Sequence, residues 1–212
     1  MKFSLAVGLL LALVSMAAAQ KAEDRIVFRK VFAGSNPEFQ EIAVDRTGTA
    51  LYKEAKDDPN PVGFKVGLPL TAEIFELADS LGHFTRKLES DLPIARMGEK
   101  TFQFEGATPG SQTYNYSVDP SVQKLQEYFE KMGESQRLFI KLEYTVRFDR
   151  LGVYDALTLM DQARTRERLI GTEHFLPLLD RIAKNKRFMN IARDRADALA
   201  RYIRESNAIP AP

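Results

Sequence analysis

Hydrophobic and polar positions alternate with a period of two through much of the first half of the chain. Arg25 to Phe32 places Ile26 and Phe28 on one side, and Val27 and Val31 on the other. Phe39 to Val44 repeats the pattern, Asp45-Arg46-Thr47-Gly48 is a turn signal, and Thr49 to Lys53 is the returning strand. Asp57 to Pro61 reads as a loop and Val62 to Leu68 as a further strand. The period then lengthens. Ile74, Leu77, Ala78 and Leu81 make one helical stripe, with Thr71 placed to cap the amino end and Gly82 to end it. His83 to Gly98 has no pattern and contains Pro93. Thr101–Phe104 and Thr113–Val118 form a second hairpin, with Tyr114, Tyr116 and Val118 on one face. Asp119 caps a helix that opens with Pro120, turns Val122, Leu125 and Phe129 inward and stops at Gly133.

The carboxyl-terminal third is helical. Leu138 to Phe148 fits both templates. Its apolar residues alternate as in a strand, and they also form the stripes 138/142/146 and 140/144/148 of a helix packed on two sides. The helical reading is preferred because everything that follows is helical. Val153 to Met160 is a helix and Gly171-Thr172 a break. A helix follows from about Phe175 with Pro177 in its first turn, and a last one runs from near Phe188 to Tyr202. The expected fold class is α+β: an antiparallel sheet with covering helices, then a helical region. The expected boundaries are 1–19 for a signal peptide, 20–133 for the α+β domain, 134–207 for the helical region and 208–212 for a loose tail.

The first nineteen residues carry the export reading. Lys2 precedes an apolar run from Phe3 to Val14, and Ala17-Ala18-Ala19 precedes Gln20 as a small-residue cleavage site. The run is shorter than the roughly 20 residues of a membrane span. Secretion or a periplasmic location is therefore expected after cleavage near Ala19-Gln20, in a bacterial setting that the absence of cysteine suits. The remaining chain has zero net charge, which argues against a nucleic-acid partner. Between residues 164 and 204, eleven basic residues stand against five acidic ones. Solvated helices with Arg193, Asp197 and Arg201 spaced for pairing are the preferred account, and a basic docking face is the alternative.

Two stretches resemble known families. Phe32-Ala33-Gly34 after the first strand and Val44-Asp45-x-x-Gly48 in a hairpin, with the later order of strand, strand and helix, resemble the emfourin family of small bacterial metallopeptidase inhibitors over residues 26–132. Lys30-Val31 stand where that family carries two glycines. The resemblance implies a fold more than an activity. Phe175 to Asn185 with Ile191 to Ile203 resembles one helical hairpin of a HEAT-type repeat.

Candidate chemistry is sparse. His83 and His174 are the only histidines, with no HExxH pattern, and both are expected to be surface or capping residues. No Ser occupies a G-x-S-x-G elbow and no phosphate-binding glycine loop occurs. No catalytic residue, cofactor or metal ligand is assigned, and Asp57-Asp58-Pro59-Asn60 is expected to be a solvated turn. The best recognition candidate is the loop holding Phe32, Gly34, Ser35, Asn36 and Phe39. The expected function is an exported, non-enzymatic protein-binding module acting on an envelope or secreted protein, with peptidase inhibition as its narrower form. The alternatives are a hydrolase of envelope polymers with paired carboxylates, or an assembly factor on a membrane surface.

Overall fold

The computed structural model describes residues 24–208. The signal segment 1–19 and residues 209–212 of the expected tail lie outside them. Six strands form one antiparallel sheet: β1 (Arg25–Val31), β2 (Phe39–Asp45), β3 (Thr49–Lys53), β4 (Val62–Lys65), β5 (Glu99–Glu105) and β6 (Gly110–Tyr114). The order across the sheet is β4-β3-β2-β1-β5-β6, so β1 lies between β2 and β5. Phe28 stands opposite both Ile42 and Phe102. The alternation reads out directly. Ile26, Phe28, Ile42, Val44, Phe102 and Phe104 are buried on one face beneath two helices, α1 (Leu68–Ser80) and the first half of α2 (Pro120–Phe148). The opposite face carries cross-strand ion pairs, Arg25–Glu105 and Arg29–Glu41, with Lys53 also on Glu41. At the centre of the core the ring of Phe28 lies 4.9 Å from that of Phe102 and 5.4 Å from that of Phe129.

The chain is thus α+β, as its pattern predicts, but three details differ. α1 is preceded by Gly67, not capped by Thr71. Pro69 suits the first turn, where its missing N–H is not needed, and so the helix starts earlier. Thr71 is buried in that turn and its hydroxyl donates to the Gly67 carbonyl (3.1 Å). β6 ends at Tyr114; Tyr116 and Val118 lie beyond it and are exposed, not part of a strand face. Gly133 does not stop its helix. Asp119 caps α2 as expected, accepting from the Ser121 N–H (2.9 Å), but the helix runs unbroken for 29 residues. The glycine is there for close approach: a Cβ at 133 would stand 3.0 Å from Gln40 Oε1 and 3.5 Å from Ile42 Cδ1. Residues 138–148 are helical, and the expected boundary at 133/134 falls inside α2.

α2 serves two cores. Beyond Ser135 it packs with α3 (Val153–Thr165), a single turn at Glu173–Phe175, α4 (Leu176–Lys184) and α5 (Asn190–Ala208). Leu142, Leu157, Met160, Phe175, Leu179, Leu199 and Ile203 fill this second cluster. Basic residues here join helices together. Arg204 makes a two-pronged bond to Asp180 (2.7 Å each), and the Arg193 guanidinium donates to the Ala183 carbonyl (3.0 Å). Of the expected spaced pairs only Arg201–Asp197 forms (3.3 Å). No helix among the described residues is long and apolar enough to cross a membrane.

Candidate functional site

One end of the sheet, where β1 finishes and β2 and β5 begin, gathers the recognition loop and an irregular segment that the sequence left without a role. The loop is closed by its own hydrogen bonds. The Phe32 N–H donates to the Glu38 carbonyl (2.8 Å), the Ser35 hydroxyl reaches the carbonyls of Phe32 (2.7 Å) and Pro37 (2.8 Å), and the Gly34 N–H donates to the Glu38 carboxylate (2.9 Å). Arg137 on α2 donates to the Asn36 carbonyl (3.1 Å), which ties the loop to the helix. Phe39 is half-buried, opposite Val31 in the register. Of the five candidates, Phe32 presents its ring to solvent, Gly34, Ser35 and Asn36 build the bend, and Phe39 anchors it.

The irregular segment lies against this loop. Gly98 has φ +90°, and a Cβ there would stand 2.8 Å from Phe32 Cβ and 3.1 Å from the Val31 carbonyl oxygen, so only glycine lets the two backbones meet. Four apolar residues are exposed at this end of the sheet: Val31 (41% exposed), Phe32 (37%), Met97 (58%) and Tyr116 (37%).

Residues Asp91 to Met97 are all exposed, yet both ends of the stretch are fixed. The Glu89 carboxylate accepts from the N–H groups of Asn115 (2.6 Å) and Tyr116 (3.4 Å), and the Ser90 N–H donates to the Tyr116 carbonyl (2.9 Å). The Asn115 amide then bridges the far end. Its oxygen accepts from the Met97 N–H (2.9 Å) and its nitrogen donates to the Ala95 carbonyl (3.3 Å). Beneath them Lys100 is buried, and its ammonium donates to the carbonyls of Asn115 (2.6 Å) and Gly98 (3.4 Å). Burial, assisted by the nearby Lys30, holds the Lys100 pKa below the ordinary lysine value.

Two hollows flank this end and share the Lys30–Glu130 pair (2.9 Å) as a wall. The first, about 230 Å³, lies between the loop and α2. Its charges are engaged: Glu134 with Arg168, Glu38 with the Gly34 N–H, and Arg137 with Asn36. The second is about 400 Å³, between Met97, Lys100, Asn115 and α2. The carboxylates with shifted pKa values move down, not up. Hydrogen bonds from Lys124 and Lys131 lower Glu73 and Glu127, and at Asp45 the effect of burial is outweighed by hydrogen bonds from Thr47 and Thr49. None of these is arranged as a proton donor at neutral pH. No cluster of three potential metal ligands occurs among the described residues.

The histidines depart from expectation in one case. His83 bonds to Asp79 (2.7 Å) and Thr108 (2.6 Å) and stacks on Phe104. His174 is half-buried. Both its ring nitrogens are buried without a hydrogen-bond partner, and burial pushes its pKa down to about 4. The ring lies between Phe64 of the sheet core and Phe139 and Phe175 of the helical core, away from the sheet end.

Glu89, Arg96 and Lys100 carry no assignment from the sequence. The only trace of the segment was a lack of periodicity around Pro93, and Asn115 read as a strand residue. The chain matches no family model and no curated protein.

Proposed function

We propose that this chain is an exported, non-enzymatic binding module that engages another protein through the end of the sheet formed by residues 31–38 and 91–97. The observation that carries the proposal is the Phe32–Gly98 contact, which sets the loop with the exposed Phe32 directly against the braced segment that carries the exposed Met97. Exposed aromatic and methionine side chains on a pre-organised support are the composition that favours a protein partner, because little freedom is lost on binding. The export signal expected at residues 1–19 places that partner among envelope or secreted proteins. The resemblance to emfourins points the same way, toward a peptidase as partner. The hydrolase alternative lacks, among the described residues, a carboxylate pair with raised pKa, and four of the nine arginines of residues 164–204 (Arg168, Arg193, Arg195 and Arg204) bond across to other helices, which weakens the membrane-surface alternative.

The test is capture from the secreted or periplasmic fraction by the immobilised chain. A stoichiometric partner held by the wild type and by Leu151→Ser, but lost by Phe32→Ser and by Met97→Ser, is the expected result. A partner indifferent to both substitutions, or no partner, overturns the reading.

A further inference from the structure

Arg96 lies in the exposed stretch Asp91–Met97, between the two residues, Ala95 and Met97, that Asn115 holds. Its basic neighbours in the segment are occupied: Arg86 pairs with Asp119 (3.1 Å) and Lys87 with Asp91. Arg96 has no such partner among the described residues, and it is exposed. The residue before it offers a carbonyl to the Asn115 amide nitrogen, and the residue after it gives its N–H to the Asn115 amide oxygen. Arg96 is therefore the centre of a backbone arc spanned by one side chain, and the peptide bond from Arg96 to Met97 closes the arc with its N–H on Asn115. Asn115 is itself held by the Glu89 carboxylate at its N–H and by the Lys100 ammonium at its carbonyl. Downstream, Gly98 is locked against Phe32 before β5 begins.

We infer that Ile94–Met97 is a substrate-like segment that enters the active-site cleft of an endopeptidase cleaving after arginine, with Arg96 in its specificity pocket. This rests on the binding reading above and names the class of partner. A peptidase cleft accepts an exposed backbone arc and draws its selectivity from one side chain, and an unpaired arginine flanked by small or apolar residues (Ile94, Ala95, Met97) meets both requirements. The frame also explains how such a segment would resist being consumed. Hydrolysis would add one water across the Arg96–Met97 bond, leaving a carboxylate on Arg96 and an amine on Met97. Asn115 would still hold the Ala95 carbonyl on one side and Met97 on the other, with Ser90 and Gly98 fixed further out. The new ends would stay within bonding distance in the cleft, so the reverse step would compete with release. The cost of ordering the segment has been met before the peptidase arrives, which favours tight binding over turnover.

The experiment uses trypsin as the probe, with chymotrypsin as control, and reads both hydrolysis of a small arginine amide and the masses of any fragments of the chain. The expected result is stoichiometric inhibition of trypsin and not of chymotrypsin, with slow cleavage confined to Arg96–Met97. Arg96→Ala should weaken inhibition by about 100-fold and Arg96→Lys should largely retain it. Asn115→Ala should convert the chain from inhibitor to substrate, with faster cleavage at the same bond. Inhibition unchanged in Arg96→Ala, rapid wild-type cleavage without inhibition, or neither inhibition nor cleavage would each overturn the inference. If these fail while the Phe32-dependent partner is still captured, the binding module stands and only the arginine-directed peptidase falls. If capture fails as well, both do.

Discussion

The ring of His174 meets the ring of Phe139 edge-on, with centroids 4.6 Å apart and planes at 68°. A histidine in this position is packed among the rings of Phe64, Phe139 and Phe175, and burial, opposed only in part by the nearby Gly171 backbone, favours its neutral form.

The pH dependence of stability follows. An unfolded histidine titrates near 6.5 and this one near 4, so between those values the unfolded chain binds more protons than the folded one. The contribution is complete above about 6.5 and is lost as pH falls toward 4, by up to about 3 kcal/mol. Urea midpoints at neutral pH and near pH 4.5 should show this loss in the wild type. His174→Phe should remove most of it while holding its neutral-pH stability. An equal acid loss in both proteins would show that other groups are responsible.

Ser135 joins the two cores. Its hydroxyl oxygen accepts the Ile170 N–H (2.9 Å) and the same group donates to the Lys131 carbonyl (2.9 Å). Ser135→Ala should leave the Ile170 N–H without its partner and cost about 1–3 kcal/mol. Amide exchange at Ile170 should rise more than exchange in the sheet. Unchanged protection there would contradict the assignment.

Gly133 separates two expectations by size. Gly133→Ala gains helix propensity of about 1 kcal/mol, set against a contact that the flexible end of Gln40 can relieve, so its melting temperature should stay close to wild type. Gly133→Leu has no such relief against Ile42 and should lose about 1–3 kcal/mol or more. If Gly133→Leu melts with the wild type, α2 does not lie as close to β2 as described.

Lys100→Met keeps the apolar stem and removes the ammonium that braces Asn115 and Gly98. Amide exchange of Met97 should accelerate, and stability should fall by about 1–3 kcal/mol. Exchange that stays slow at Met97 would mean that Asn115 needs no support from below.

What could be seen in the sequence was whatever has a period. The alternation of Ile26 and Phe28, of Ile42 and Val44, and of Phe102 and Phe104 reports a sheet with one buried face, and the structure has it. Asp119 and Pro120 announce the start of α2 by local chemistry alone. Gly133 misled because a glycine after an apolar stripe looks the same whether it ends a helix or lets the helix approach a strand; the difference lies in Gln40 and Ile42, some ninety residues away. Tyr116 and Val118 continue an alternating pattern, yet the chain leaves the sheet at Tyr114 because Asn115 and Tyr116 turn to bond with Glu89 and Ser90. The site was half legible. Phe32 and its loop carry aromatic and turn residues that mark them locally. The segment around Arg96 has no period, and its order comes from Asn115 and Lys100, which no local rule connects to it.

Because α2 passes unbroken from one core into the other, the molecule contains a rod of about 43 Å. Near its middle Arg137 grips the loop behind Phe32, and less than two turns further on Leu142 is set into the helical core. The sheet end and the α4–α5 hairpin are therefore held at a set spacing and a set angle by one element. The helix that covers the sheet is also the beam that fixes the two halves to each other.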